Sequence, residues 1–493
     1  MESAAIVVVV VTWNFEFLFL EELSPFVNCS TLQFFSMMSL SHSLGSSPQP
    51  QPLIKEGKSE ERGLCLIHLL IACANHVAHN NLENANIIFD QISMLASPDG
   101  DTMQRIAAYF TEALADRILK GWPGIHRALN STRMTMISDE ILVQKLFYEL
   151  FPFLKLAFVF TNQAILEAME GEKMIHIIDL NAAEPAQWIA LFQVLSARPE
   201  GPPHLRITGV HQKKEVLDQI AHTLIEDAEK LDIPFQFNPI VCKLENLDFD
   251  KLRVKTGEAL AISSILQLHS FLALDNEAMQ RSSPLVLRSP NRIHLQRVLP
   301  MSPSTLGAML EKDMVNSYTP SPDLTSSSAL SLTSSNSMNM EKFLNALRGL
   351  SPKVMVVTEQ DSNHNGLTLM ERLPEALYTY AAFFDCLESS VSRSSPERLR
   401  VEKMLFGEEI KNIISCEGSE RKERHEKLDK WFQRFDLAGF RNVPLSYFGM
   451  LQASRLLQSC GCEGYRMREE NGCVLICWQD RSLFSVSAWR SSK

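Results

Sequence analysis

The hydrophobic pattern divides the chain into a helical first part and an alternating α/β second part. Over residues 64–170, apolar residues recur at spacings of three and four, which is the period of an amphipathic helix. We therefore predict an α-helical cap there, whose last helix begins near Ser138 and bends near Pro152. Residues 171–493 are predicted to form an α/β core.

Short apolar runs of strand type alternate with amphipathic helices in this core. The predicted strands are residues 175–178, 205–210, 235–237, 259–265 and 354–358. Near the C-terminus, residues 474–478 and 483–489 predict an antiparallel hairpin. Strands that alternate with helices indicate a parallel sheet covered on both faces. The predicted fold is therefore α/β and Rossmann-like, of the class I methyltransferase type: a mostly parallel sheet with a C-terminal antiparallel hairpin.

Two stretches lie outside this alternation. Residues 1–63 are predicted to be a disordered N-terminal extension, rich in Ser and Pro towards its end. Its first apolar run lacks a preceding basic segment and is interrupted by polar residues, so a signal peptide or an anchor is the less favoured alternative. The functional start could also be Met37 or Met38. Residues 275–340, rich in Ser and Thr, predict a flexible insertion in the core.

The net charge and the cysteine spacing argue against two kinds of function, direct binding to nucleic acid and binding of a metal. The 493 residues carry a formal net charge of −11, so no overall positive field draws the chain onto phosphate backbones. This charge argues against a protein that acts mainly by binding nucleic acid directly. The 10 cysteines show no zinc-ligand spacing. We therefore predict free thiols in a reducing compartment and no metal site.

The loop after the first predicted strand is where a class I methyltransferase binds its cofactor. Residues 181–185 read Asn-Ala-Ala-Glu-Pro and contain no glycine, so Cβ atoms hinder a ligand's approach to the backbone. Pro185 also removes an N–H donor, and Glu184 adds negative charge. The end of the second strand is followed by His-Gln-Lys-Lys at 211–214 rather than by an acid that would hold ribose hydroxyls. We therefore predict no cofactor and no catalytic residue, with an S-adenosylmethionine-dependent methyltransferase as the alternative.

Two polar segments carry further candidate chemistry. Glu359, Asp361 and His364 follow a predicted strand at the ligand edge of the sheet, where they could supply acids and an imidazole. The favoured interpretation is a polar loop that caps the next helix. Residues 420–427 interleave acidic and basic side chains at helical spacing, which predicts a solvated helix stabilised by ion pairs.

A leucine pattern in the first helix has two interpretations. Leu66, Leu69 and Leu70 have the LxxLL spacing, which can dock into a helix-binding groove of a partner. The same spacing is common in buried helices, so packing in the core is favoured.

These motifs, taken in order from residue 64 to the C-terminus, resemble those of the GRAS family of plant transcriptional regulators. The helix of Leu66, Leu69 and Leu70 is similar to the family's first leucine-rich region, and the helices after residue 205 to its second. The VHIID motif is matched by Ile175, His176, Ile177, Ile178 and Asp179. The PFYRE motif is matched by Arg372, Pro374, Tyr380, Phe384, Arg421, Glu423, Arg424 and Glu426. The SAW motif is matched by Trp431, Gly439, Trp478, Ser487, Ala488 and Trp489.

The resemblance implies a nuclear, non-enzymatic co-regulator that works by protein–protein contact. It further implies a role in root development and in promoting gibberellin responses by antagonising DELLA repressors, which are themselves GRAS proteins. Indeterminate-domain zinc-finger transcription factors are the implied route to promoters, so contact with DNA would be indirect. Homo- or heterodimers are expected, and no membrane association. Direct binding to DNA remains the alternative, which predicts an affinity that falls steeply with salt.

Overall fold

The computed structural model describes residues 59–131, 137–273 and 339–492. Most of the predicted N-terminal extension and nearly all of the predicted insertion lie outside the described residues. Within the described ranges, no helix combines the length and the apolar character needed to cross a membrane.

In the described residues, six helices precede the sheet. They are α1 (Ser59–Ala78), α2 (Leu82–Leu95), α3 (Thr102–Lys120), α4 (Pro123–Asn130), α5 (Ile137–Leu150) and α6 (Phe153–Ala168). Helix α1 includes residues 59–63, which lie before the predicted start at Leu64, and Ser59 and Arg62 both bind the carboxylate of Asp101, the N-cap of α3. The predicted long helix is two helices, because Pro152 has no N–H to continue the hydrogen-bond ladder.

The second part of the chain supplies the sheet and the helices that cover it. Its strands are β1 (Met174–Asp179), β2 (His204–His211), β3 (Phe235–Val241), β4 (Ala259–Ile265), β5 (Val354–Gln360), β6 (Phe440–Val443), β7 (Tyr465–Glu470), β8 (Cys473–Trp478) and β9 (Arg481–Ser491). Its helices are α7 (Ala186–Ser196), α8 (Lys214–Lys230), α9 (Met340–Gly349), α10 (Leu369–Ser390), α11 (Pro396–Val401), α12 (Gly407–Ser415), α13 (Leu428–Leu437) and α14 (Tyr447–Ser459). A π-helical turn, Glu402–Phe406, joins α11 to α12.

The strand order confirms the predicted fold class. The described strands run β3-β2-β1-β4-β5-β9-β8-β7, and β6 also pairs with β9. The first five are parallel, whereas β9 is antiparallel to β5 and to β8. The last strand therefore inserts between β5 and β8, which is the class I methyltransferase layout. The antiparallel part is larger than the predicted hairpin, because β6 and β7 join it.

The central strands β1, β4 and β5 send alternate side chains into two separate cores. Ile177 packs with the helices on one face, whereas the next residue, Ile178, packs with the helices on the other. Val356 and Val357 of β5 divide in the same way. This division follows from the period of two along a strand, and it explains why the parallel strands are continuously apolar.

Helices from both ends of the chain share one layer. Helix α3 packs on α12, and α1 and α3 both pack on α10. Arg105 of α3 forms a fully buried ion pair with Glu402, whose second oxygen accepts a 2.7 Å hydrogen bond from Arg398 Nε. The N-terminal helices are therefore joined by packing and by charge to residues 369–415.

Candidate functional site

A cavity of about 790 Å³ lies at the carboxyl edge of the sheet. The loop after β1 contributes Glu184 to its wall, and the segment after β4 contributes Gln267. Gln360 at the end of β5, Glu409 of α12 and Glu423 also line it. This edge is where α/β sheets of this type bind their ligands. The glycine-free loop therefore borders a cavity rather than filling it.

Asp179 fixes the start of the loop after β1. Its carboxylate accepts a 2.9 Å hydrogen bond from Trp188 Nε1 and a 3.0 Å bond from the Asn181 N–H. Burial raises the pKa of Asp179 to about 6, while the two hydrogen bonds lower it. The last residue of the VHIID motif therefore positions the loop and the tryptophan of α7.

Three backbone N–H groups at the start of this loop are hydrogen-bonded within the protein. The N–H groups of Leu180 and Ala182 donate to carbonyls of β4 and β2 at 2.9 and 3.1 Å, and that of Asn181 donates to Asp179. Gly209 permits this fit, because a Cβ there would lie 2.9 Å from the Ala182 Cβ. In a nucleotide-binding loop such N–H groups face the ligand. Here they are already paired.

The second strand ends without the acid that a ribose would need. His211 Nδ1 instead accepts a 3.1 Å hydrogen bond from the Lys213 N–H. Burial lowers the pKa of His211, and the nearby Lys213 charge also lowers it. This end of β2 therefore presents a neutral imidazole.

A buried group of imidazoles and carboxylates borders the cavity. We call His269, Glu359, Glu409, Glu423 and His425 the imidazole–carboxylate cluster. His269 Nδ1 lies 2.8 Å from Glu359 Oε2, and His269 Nε2 lies 3.4 Å from Glu423 Oε2. The other oxygen of Glu359 accepts the N–H groups of residues 267 and 268 at 3.0 and 2.7 Å. The cluster joins the ends of β4 and β5 to the segment after α12.

Burial and neighbouring charges shift the pKa values of the cluster residues in different directions. Burial lowers the pKa of His269, but Glu359 and Glu423 outweigh it and raise the value to about 10. Burial raises the pKa of Glu409 to about 8, with a contribution from the Glu423 charge. Burial raises the pKa of Glu423, but the close contacts and charges of His269 and His425 outweigh it and lower the value. These pKa shifts favour an imidazolium at His269 and a carboxylate at Glu423 at neutral pH, beside a protonated Glu409.

The segment after β5 does more than cap a helix. Glu359 belongs to the imidazole–carboxylate cluster, and Asp361 Oδ1 accepts a 2.8 Å hydrogen bond from the Leu428 N–H. His364 is fully buried, and its ring makes no hydrogen bond with any described residue. The cap of α10 is Thr368, in a capping box with its third residue, so the predicted capping role was wrong. Glu359, Asp361 and His364 are all buried, and none of them is among the residues that line the cavity.

Residues 420–427 do not form the predicted solvated helix. After a 3₁₀ turn, Gly418–Glu420, the chain is irregular, and Arg421 and Arg424 are 2% and 1% exposed. Arg421 Nη1 donates to the His364 carbonyl at 2.6 Å, and Arg424 Nη2 donates to the Gly418 carbonyl at 2.9 Å. The prediction was wrong because these guanidinium groups satisfy backbone carbonyls in the interior, where a planar fork of donors fits well. Charge spacing alone does not show this.

Arg372 acts with these two arginines. It is fully buried, and it donates to the carbonyls of Ile413 and Gly366 at 3.0 and 3.1 Å and to Glu417 Oε1 at 2.7 Å. Arg372, Arg421 and Arg424 therefore hold the segments around the cluster together.

The remaining PFYRE residues support the same region. Pro374 lies inside α10. Tyr380 donates to Glu409 Oε2 at 2.8 Å, and Phe384 packs in the aromatic core. Glu426 accepts a 2.7 Å hydrogen bond from Arg434 Nε.

The other motif residues lie away from the cavity. His176 Nδ1 lies 3.0 Å from Arg206 Nη2, and burial, with the Arg206 charge, lowers the pKa of His176 to about 4. Ile175, Ile177 and Ile178 are core residues. Leu66 and Leu70 are fully buried and Leu69 is half-buried, so docking of this LxxLL pattern would require α1 to leave the core.

The SAW residues anchor the antiparallel part of the sheet. Trp489 stacks on Phe435 at 4.5 Å between ring centroids, and Trp431 lies in the same core. Trp478 Nε1 donates to Asp385 Oδ2 at 2.8 Å. Gly439 has a φ of +78° and ends α13 in the left-handed region. Ser487 and Ala488 lie in β9 opposite β5.

Among the motif residues, Glu423 lines the cavity, and Tyr380 donates to Glu409, which also lines it. Asp179, His176, the leucines of α1 and the SAW tryptophans are not among the lining residues. Sequence analysis did not single out His269, Glu409 or His425. Only their positions in the sequence could have indicated the site. His269 follows β4 at the carboxyl edge of the sheet, and His425 lies in the charged segment that folds back to this edge.

The fold and the positions of these motifs define a GRAS-domain protein. Residues 66–490 match the GRAS domain family, and the chain belongs to that family of plant transcriptional regulators. It is 64% identical to scarecrow-like protein 3 of Arabidopsis thaliana over 471 residues, which cover 95% of this chain and 97% of that protein. It is 33% identical to the DELLA protein RGL1 of Arabidopsis thaliana, covering 88% of this chain and 71% of that protein.

A solved structure shows the same fold. The crystal structure of SCL7 from Oryza sativa superposes with a TM-score of 0.67 at 27% identity, covering 86% of this chain and 99% of that chain.

Proposed function

We propose that this protein is a nuclear transcriptional co-regulator that acts through protein–protein contacts. In this proposal it promotes gibberellin responses by antagonising DELLA repressors and thereby controls root development. The similarity to scarecrow-like protein 3 over nearly the whole length of both chains supports this assignment, as does the relationship to a DELLA protein.

One observation above all supports a non-enzymatic role. The backbone N–H groups just after β1 are already hydrogen-bonded to oxygens of the protein. Leu180, Asn181 and Ala182 give their N–H groups to the protein's own oxygens, so the loop offers none of these three to a phosphate or a carboxylate of a cofactor. The end of β2 supplies an imidazole instead of a ribose-binding acid. These two features favour a sheet that serves as a scaffold for partner proteins over one that binds a nucleotide.

Helix α4 offers a surface for such partners. No residue of α4 is buried, and Ile125 and Leu129 are 52% and 61% exposed on one face. Trp122, which precedes the helix, is 47% exposed. Aromatic and aliphatic side chains grouped in this way are typical anchors of protein interfaces. We infer that this face contacts a DELLA-type GRAS protein.

Recruitment to DNA is proposed to be indirect, through indeterminate-domain zinc-finger transcription factors. The net charge of −11 opposes association with a phosphate backbone. If the chain binds DNA directly, its affinity for a promoter fragment will fall steeply as salt is raised in the absence of partners. If recruitment is indirect, DNA will be retained only when the zinc-finger protein is present.

Partner binding and plant phenotype test the proposal together. The purified full-length chain should retain a DELLA protein and an indeterminate-domain protein in pull-down experiments. Plants that lack the gene should show a weakened root growth response to gibberellin, restored by the wild-type gene. Absence of both interactions, with a normal gibberellin response, would overturn the proposal.

The cavity at the carboxyl edge favours one alternative, an S-adenosylmethionine-dependent methyltransferase. A cavity of about 790 Å³ is large enough for such a cofactor. Calorimetry with S-adenosylmethionine separates the two functions, because the paired loop donors predict no saturable heat. Saturable binding that is lost when a glutamate is introduced at Ala183 would favour the enzyme.

A further inference from the structure

The geometry points to a zinc site built by His269, Glu423 and His425 at the wall of the cavity. Each contributes one atom: Nε2 of His269, an oxygen of Glu423 and Nε2 of His425. The three side chains come from the segment after β4 and from the segment after α12, so only the folded sheet brings them together. This inference is independent of the proposed function.

The separations of these atoms suit tetrahedral zinc. Glu423 Oε2 lies 3.4 Å from His269 Nε2 and 3.0 Å from His425 Nε2. Ligand atoms from the three residues all lie within 4.8 Å of one another. Bonds of 2.0–2.1 Å in a tetrahedron place ligand atoms about 3.3 Å apart. A zinc ion therefore fits between these three side chains after small side-chain movements.

The outer contacts of His269 are those of a zinc-ligating histidine. Its Nδ1 lies 2.8 Å from Glu359 Oε2, which leaves Nε2 directed to Glu423. Glu359 is itself held by two backbone N–H groups, so the imidazole has a fixed orientation. Such carboxylate–histidine pairs orient metal ligands and strengthen their donors.

His425 provides a second, independent indication. It is only 3% exposed and lines the cavity, yet neither ring nitrogen makes a hydrogen bond of acceptable geometry with any described residue. Its Nε2 is close to Glu423 but poorly aligned with it. A buried imidazole without hydrogen bonds is costly, and coordination to a metal would satisfy it.

The chemistry of the set favours zinc over magnesium or calcium. Two imidazoles and one carboxylate are ligands for a first-row transition ion, whereas magnesium and calcium prefer oxygen alone. The carboxyl groups of Glu359 and Glu423, both beside His269, would balance the double charge of the ion. The cavity leaves the fourth position to water.

Metal titration of the full-length protein tests the site. After dialysis against a chelator, the chain should take up roughly one zinc ion in this site, measured by calorimetry, and thermal unfolding should shift upwards. Cobalt should give visible d–d bands without a thiolate-to-cobalt band, which would appear if Cys460 and Cys462 bound the metal instead. Cobalt bands that include the thiolate transition, or no uptake, would overturn the inference.

Three variants localise the ion. Glu423→Gln and His425→Gln should each weaken zinc binding by more than about 100-fold, and Glu359→Gln by about 10- to 100-fold. His68→Gln changes an exposed histidine of α1 and should bind zinc like the wild type. Circular dichroism and the melting temperature without metal show whether each variant is folded. Folded Glu423→Gln and His425→Gln variants that bind zinc as tightly as His68→Gln would place the ion elsewhere and contradict this assignment.

Discussion

Trp188 Nε1 donates a 2.9 Å hydrogen bond to Asp179 Oδ2, so the end of β1 and the start of α7 share one buried contact. The contact explains why the loop between them needs no glycine. Its backbone follows a path fixed by the carboxylate and the indole rather than by a ligand.

Asp179 should make stability depend on pH in acid solution. Its carboxyl ionises near 3.8 when unfolded and near 6 when folded, so folding takes up a proton between these values. The contribution of Asp179 to the free energy of unfolding is therefore largest below about pH 4 and falls by up to about 3 kcal/mol as the pH rises through 6. Asp179→Asn should lack this fall. Denaturant unfolding of both proteins at pH 4–7 measures the difference, and parallel curves would exclude the assignment.

Arg424 should be intolerant of lysine. The guanidinium donates to the Arg421 carbonyl, to Asn365 Oδ1 and to the Gly418 carbonyl, and one ammonium cannot reach all three. We expect Arg424→Lys to lower the free energy of unfolding by about 2–3 kcal/mol. Arg455→Lys, at an exposed position of α14, is the matched control and should change it little. An equal decrease in the free energy of unfolding in both variants would show that the buried contacts of Arg424 are not the cause.

Trp489 should be a stability residue rather than a contact residue. It is 1% exposed and stacks on Phe435, so Trp489→Ala should cost about 3–5 kcal/mol. Trp122→Ala, which removes a tryptophan that is 47% exposed, should leave the melting temperature nearly unchanged. Thermal unfolding compares the two. A Trp489→Ala protein that has the melting temperature of the wild type but fails to bind partners would reverse this assignment.

The face of α4 should be required for partner binding and not for folding. Replacing Ile125 and Leu129 together by Asp should weaken DELLA binding by about 30-fold or more, because apolar anchors are lost. The melting temperature should stay close to that of the wild type, since both side chains are more than half exposed. Leu437→Asp, at a position 87% exposed on α13, is the control. Binding unchanged by the double variant would remove α4 from the proposed interface.

The sequence predicted the parallel strands well because their apolar runs are buried on both faces. Ala259–Ile265 is buried at every position, and its prediction was correct to the residue. Strand β7 was missed because it lies at the sheet edge, where Arg466 and Glu469 face solvent and the apolar signal is weak. The apolar pattern of a strand is therefore clearest where both faces of the strand are buried.

The imidazole–carboxylate cluster was not predicted, because its members are distant in sequence. Glu359 and His269 meet only because β4 and β5 are neighbours in the sheet. The charged segment that carries Glu423 and His425 has the spacing of an exposed helix, and nothing in that spacing shows that buried arginines hold it in the interior. Local pattern predicts elements, whereas this cluster depends on topology.

The ion pair between Arg105 and Glu402 has a consequence for fragment experiments. Cutting the chain between the helical first part and the sheet would leave the guanidinium of Arg105 without its counter-charge and would leave Glu402 with only one of its two arginines, Arg398. Neither piece would then fold as it does in the whole protein. Loss of partner binding in such a truncated chain would report misfolding and not the location of an interface, so interfaces are better mapped by point substitutions at the surface.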